Sequence, residues 1–168
     1  MSIPRWTPLG ALALHGLKAA TESIENDSGN EYVALGTAEF WAASLDEQLM
    51  RTFGAAYDAA RDSDEQGQVL PGIRLVRNGI THGAVIAAEP SGLRWPLEWP
   101  LHWDPTVYGP LETLLADWVG ERMQNKSVPQ QDDVYRRLLE GRELSVPLKA
   151  AIDWFVRLER VQWDLDTA

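Results

Sequence analysis

Apolar residues repeat at helical spacing from one end of this chain to the other, and that repetition most limits what the sequence can fold into. The clearest case runs through Val69, Ile73, Val76, Ile80 and Ala84, which predicts one helix from about Val69 to Ala88. Comparable stripes are Leu9, Leu12, Ala13, Leu17, Ala20 and Ile24 near the start, and Leu148, Ala151, Ile152, Phe155 and Leu158, continued by Val161 and Trp163, near the end. Between them, Phe40, Trp41, Leu45, Leu49, Phe53, Ala56 and Ala60 share one side of a long helix from about Thr37 to Arg61, with Asp46, Glu47, Asp58 and Asp62 on the other. Leu111, Leu114, Leu115, Trp118, Val119 and Met123 mark a helix over Pro110 to Asn125, and Val134, Tyr135, Leu138 and Leu139 another, beginning at Asp132 or Asp133. No segment alternates in the manner of a strand, and Tyr32-Val33-Ala34-Leu35 is too short to count as one. The expectation is an all-α bundle of about six helices in a single domain over residues 1–168.

Local signals place the boundaries. Thr37 is a candidate N-cap for the long helix and Ser145 for the last one. Pro71 and Pro147 fit the first turns of their helices, where a missing N–H matters little, so the helix carrying Pro71 starts near Leu70. Asp62-Ser63-Asp64-Glu65 ends the long helix and offers a cap to the next, and Gly141 is a natural helix stop. Glu89-Pro90-Ser91-Gly92 is expected to end the helix begun at Leu70. After it, Trp95, Trp99 and Trp103 alternate with Pro96, Pro100 and Pro105 in a segment too rich in proline for helix or central strand. Those indoles either pin a loop onto the helices, the plainer reading, or offer stacking surfaces to single-stranded RNA.

Composition narrows the chemistry. With no cysteine, the chain has no disulfide, thiolate zinc site or thiol nucleophile. Three widely spaced histidines do not suggest a transition-metal site, and no phosphate loop, nucleophile elbow or zinc-protease motif is present. The reading is therefore no metal and no cofactor, with a magnesium nuclease the alternative that no motif supports. The start, Met1-Ser2-Ile3-Pro4-Arg5, lacks a signal-peptide pattern and no apolar run suits a bilayer, so a cytoplasmic protein without membrane contact is expected. The net charge of −10 argues against broad nucleic-acid binding but leaves room for a focused basic cleft. Twelve of the fifteen basic residues are Arg, the better phosphate clamp.

One helix face stands out. Arg74, Asn78 and His82 follow one another at four-residue intervals, and Arg77 lies on the neighbouring stripe. This collects an imidazole that titrates near neutrality, an amide able to orient it, and guanidinium groups suited to phosphate oxygens. Arg77-Asn78-x-x-x-His82, late in a helical hairpin over about 34–88, resembles the signature of HEPN domains. The resemblance implies a small all-helical domain and a metal-independent endoribonuclease, as found among toxins and defence components. It also implies a homodimer whose two Arg/His sets line one cleft. His82 would then be the general base or acid, Arg77 would stabilise phosphoryl charge, Asn78 would orient His82 or bind phosphate, and Arg74 would contact substrate. HEPN-like domains also serve as non-catalytic binding or assembly modules, and a solvated polar face is the ordinary role of such a stripe, so that alternative stands beside the enzyme. Asp58 and Asp62 fall within reach of Arg74 or Arg77, although solvated positions are the plainer reading for both.

Overall fold

The computed structural model describes residues 8–26, 31–81, 88–90, 106–117 and 129–160. They form a predominantly helical bundle: α1 (Pro8–Glu25), α2 (Glu31–Phe53), α3 (Ala55–Ser63), a 3-10 turn (Gly67–Val69), α4 (Leu70–Thr81), α5 (Leu111–Asp117), α6 (Pro129–Leu138) and α7 (Ser145–Arg160). Strands β1 (Ala88–Pro90) and β2 (Thr106–Tyr108) pair antiparallel, with Ala88 opposite Tyr108 and Pro90 opposite Thr106. A contiguous apolar core draws on all seven helices. Leu17 of α1, Leu35 and Leu45 of α2, Ile73 and Val76 of α4, and Leu148 and Phe155 of α7 are among its most buried members. No helix among the described residues is long and apolar enough to cross a membrane.

Several sequence expectations need correction. The single helix over Thr37 to Arg61 is two helices. Gly54 takes φ 57°, a left-handed conformation that glycine reaches without a Cβ clash, and separates α2 from α3. Helix α2 starts at Glu31, so Tyr32 to Leu35 form its first turns. Thr37 is interior to α2 and no cap; its hydroxyl donates to the Val33 carbonyl at 2.8 Å. Helix α6 begins at Pro129, with the proline in the first position where its missing N–H is harmless.

Ala88 to Pro90, expected to close the helix of the motif, is instead a strand. Its partner β2 explains why strand wins: β2 is bonded on both flanks. Besides β1, the Tyr108 N–H donates to the Arg142 carbonyl at 2.9 Å, the Gly141 N–H donates to the Tyr108 carbonyl at 2.9 Å, and the Leu144 N–H donates to the Thr106 carbonyl at 3.2 Å. Pro90 is tolerated because, among the described residues, β1 has a partner on one side only. The Trp/Pro segment around Trp95, Trp99 and Trp103 lies outside the described residues, as do His102, Val161 and Trp163.

Other expectations agree with the structure. Helix α4 starts at Leu70 with Pro71 in its first turn. The Asp64 carboxylate accepts from the N–H groups of Gln66 (2.9 Å) and Gly67 (3.1 Å), capping the turn into α4. Gly141, at φ 70°, closes α6.

Candidate functional site

Helices α2 and α4 pack side by side and bring the motif face of α4 against the middle of α2. Ile73, Leu75 and Val76 anchor α4 in the core, which leaves Arg74, Arg77 and Asn78 half-buried along its flank. Ile80, placed on the apolar stripe by its spacing, is exposed instead.

Each arginine meets a carboxylate of α2. Arg77 forms an ion pair with Glu47, which also approaches Arg51 at 4.0 Å. Arg74 pairs with Asp46, a fully buried carboxylate. Asp46 accepts a further hydrogen bond from the Tyr57 hydroxyl at 2.8 Å and lies 3.4 Å from the Arg61 guanidinium. The Trp154 indole N–H reaches the Tyr57 oxygen at 3.3 Å, so α2, α3, α4 and α7 meet at one polar node. Burial works against the Arg61 charge, but Asp46, Asp62 and Asp58 outweigh it and hold its pKa above the ordinary arginine value. The Tyr57 phenol is pushed up, first by burial and then by the Asp46 charge.

This arrangement gives the arginines of α4 partners that the sequence reading did not assign. Arg74, expected to contact substrate, is committed to the interior by Asp46. Asp58 and Asp62 reach neither Arg74 nor Arg77; both pair with Arg61, at 3.2 and 2.8 Å. The acidic neighbour of Arg77 is Glu47. Sequence reasoning put Glu47 and Asp46 on a solvated side. The signal it passed over is two adjacent carboxylates in the middle of a helix whose buried side is mostly alanine and leucine. His82 lies outside the described residues, one position beyond the end of α4 at Thr81. The structure therefore brings Arg77 and Asn78 to one flank and leaves His82 placed by sequence alone.

Beside Arg77 the α2–α4 surface opens into a groove of about 450 Å³. Tyr32, Gly36, Phe40 and Trp41 contribute from α2, and Arg77 and Ile80 from α4. Phe40 meets Trp41 edge-on at 5.1 Å between ring centroids. Among the described residues, Arg77 is the only charged residue lining it, and its Nε is buried with no hydrogen-bond partner.

A second buried carboxyl lies farther along α2. The Tyr108 hydroxyl donates to Glu39 at 2.5 Å, and the other Glu39 oxygen has no partner among the described residues. Burial pushes the Glu39 carboxyl up to about 8, against the lowering effect of that hydrogen bond. Nearer the start of α2, the Thr106 hydroxyl donates to Glu31 at 2.6 Å, so two acids of α2 hold β2. Among the described residues, no group of three or more His, Cys, Asp or Glu side chains is arranged to hold a metal ion. Comparison with family models, with curated proteins and with solved structures finds no match to this chain.

Proposed function

We propose that the chain is a metal-independent endoribonuclease of the HEPN kind that works as a homodimer. The observation that carries this reading is the half-buried position of Arg77 and Asn78 on α4, with Arg77 lining an open groove, five and four residues before His82 in the sequence. In the reaction, the RNA 2′-oxygen bonds to the adjacent phosphorus and the P–O5′ bond breaks. The proton of the 2′-hydroxyl passes to a base, and the departing 5′-oxygen takes a proton from an acid. The products are a 2′,3′-cyclic phosphate and a 5′-hydroxyl end. His82 supplies one of those proton transfers, since an ordinary imidazole exchanges its proton at about pH 6.5. Each chain brings one histidine to this site, so acid and base together call for two copies. Arg77, oriented by Glu47, turns its remaining N–H groups to the phosphoryl oxygens, where charge grows in the transition state. Asn78 orients His82 or binds phosphate. Arg74 has no substrate role in this scheme; with Asp46 it fixes α4 against α2. The family resemblance suggests a toxin or defence component acting in the cytoplasm.

A specific observation favours a second reading, a non-catalytic binding or assembly module: both motif arginines are already ion-paired within the chain. Incubating a labelled RNA pool with wild type, Arg77→Ala and His82→Ala, with and without EDTA, separates the two. The enzyme reading expects EDTA-resistant cleavage to cyclic-phosphate ends, lost by at least a hundredfold in His82→Ala. Cleavage that survives His82→Ala or needs a divalent ion defeats the mechanism. Absence of cleavage by pure wild type transfers the assignment to the module.

A further inference from the structure

We infer that the α2–α4 groove is a nucleobase subsite for single-stranded RNA; this deepens the ribonuclease reading and rests on it. The groove has the chemistry such a ligand needs. Tyr32 and Phe40 expose aromatic rings, and Ile80 adds an aliphatic surface across from them. Every base has a π-face, so an aromatic wall accepts any base that is free to leave its own stack. Duplex bases are not free in this way, which directs the site to single strands. The wall is also fixed before the ligand arrives. Trp41 is set against α1 at Gly16, where even a Cβ would stand 2.6 Å from the indole Nε1. Phe40 then packs edge-on against Trp41.

Charge points the same way. In a chain of net charge −10, the groove lining among the described residues contains no carboxylate and one cation, Arg77, whose ion pair with Glu47 lies beside the groove. A basic peptide finds no acidic lining residue there, whereas a nucleotide can place its base on the rings and its phosphate near Arg77. Arg77 keeps part of its side chain exposed at the groove (24% of it), so its guanidinium can meet an acceptor on the ligand. A volume of about 450 Å³ lies within the range of small-ligand sites, roughly 300–1,000 Å³. The two threonine hydroxyls of the lining spend their protons inside the chain, Thr37 on the Val33 carbonyl and Thr81 on the Arg77 carbonyl. With few donors left to read base edges, the subsite selects stacking and single-strandedness over base identity.

Gly36 gives a direct test. It lines the groove, and a Cβ built on it meets nothing within 4 Å, so a leucine branches from an open position at the groove. The probe is a fluorescein-labelled single-stranded oligonucleotide of mixed sequence with every 2′-hydroxyl methylated, which blocks the attacking group and prevents cleavage. Binding is followed by anisotropy for wild type, Gly36→Leu and Phe40→Ala, with circular dichroism as the check on folding. Wild type is expected to bind the single strand in preference to its duplex. Gly36→Leu should weaken binding at least tenfold with an unchanged helical spectrum, and Phe40→Ala about tenfold, the size of one lost base stack.

Equal affinity of Gly36→Leu and wild type, or no binding by wild type, overturns the subsite. Cleavage of unmodified RNA by wild type and Gly36→Leu at equal rates overturns it too, while leaving the ribonuclease standing. Groove-dependent binding with no cleavage by wild type supports the subsite and removes the ribonuclease. If Gly36→Leu changes the oligomeric state and leaves RNA affinity untouched, the groove belongs to a second copy of the chain and the inference falls.

Discussion

Helices α2 and α7 obey opposite rules. Helix α7 is conventionally amphipathic: Leu148, Ala151, Trp154, Phe155 and Leu158 face the core. Helix α2 buries Glu39 and Asp46 completely and turns Tyr32 (53% exposed), Val33 (71%) and Phe40 (51%) outward. The difference lies in what each helix packs against. The buried side of α2 is built largely from Ala34, Ala38, Ala42 and Ala43, so α1 and α4 approach closely and little apolar area is gained per residue. Its two buried acids are stabilised by partners aimed at them from other elements, Tyr108 for Glu39, and Tyr57, Arg61 and Arg74 for Asp46. Where α7 is held by area, α2 is held by polar bonds that require every partner to be present. Its displaced aromatic residues are left for the outer surface.

The largest expected effect breaks α2 at its polar node. Asp46→Ala leaves the largely buried Arg61 and Arg74 guanidinium groups without their shared partner and the Tyr57 hydroxyl without an acceptor. Breaking such a pair from one side destabilises by about 3–5 kcal/mol. Asp58 and Asp62 still hold Arg61, which places the loss near the lower figure. For a chain of this size that corresponds to a fall in Tm of roughly 6–12 °C. The double variant Asp46→Ala, Arg74→Leu should recover part of the loss, because one stranded charge is gone. A thermal melt of Asp46→Ala within 2 °C of wild type, an approximate threshold well below that range, would show that the node does not hold α2.

The next effect is read against pH. Glu39 keeps its proton to about pH 8 in the folded chain and releases it near its ordinary value of 4.5 when unfolded. Between these values the folded state binds the extra proton. Its contribution to stability is therefore fully present below pH 4.5 and is lost as pH rises towards 8. The slope is at most about 1.4 kcal/mol per pH unit. Glu39→Gln keeps an acceptor for the Tyr108 hydroxyl and removes the titration. Urea unfolding of both proteins should show little difference at pH 5 and a growing advantage for Glu39→Gln, on the order of 2 kcal/mol or more, by pH 8. The opposite trends of other carboxylates cancel in that difference. Parallel pH profiles for the two proteins would remove Glu39 as a buried neutral acid.

The same contrast explains what the sequence disclosed. Where burial follows hydrophobic spacing, as in α4 and α7, residues such as Ile73, Val76, Leu148 and Phe155 are legible from periodicity alone, and so is the all-helical class. In α2 the periodicity misleads, because Phe40 looks interior and Asp46 looks solvated until their neighbours are known. The donors that satisfy Asp46 come from residues 11, 15 and 28 positions away, a separation no local pattern reports. Gly54 hides in the same way: one glycine in a helical run carries no mark that it adopts φ 57°. Strand β1 escaped because its stability comes from β2, itself bonded to the segment after α6. Of the candidate site, Arg77 and Asn78 were legible from their spacing, whereas Glu47 and the aromatic groove depend on the α2–α4 crossing.

The smallest expected effect on stability sharpens the comparison most, because it separates the two helices residue for residue. Phe155 of α7 is fully buried in the core, and Phe40 of α2 stands half out of it. Phe155→Ala removes a packed ring and leaves a cavity, a change that typically destabilises by about 3–5 kcal/mol. Phe40→Ala removes a ring that already faces water on much of its surface. Within the fold its ring meets the edge of Trp41 at 5.1 Å, and Trp41 keeps its seat against Gly16 when Phe40 is shortened. Surface changes of this kind usually stay within about 0.5 kcal/mol, so the Tm of Phe40→Ala should lie within about 2 °C of wild type. Phenylalanine is also a slightly poorer helix former than alanine, which pushes the small residual effect towards stabilisation. Differential scanning calorimetry of the two variants side by side decides the matter. A loss in Phe40→Ala comparable to that of Phe155→Ala would mean that the outer ring belongs to the core after all, and that α2 is held by area as α7 is.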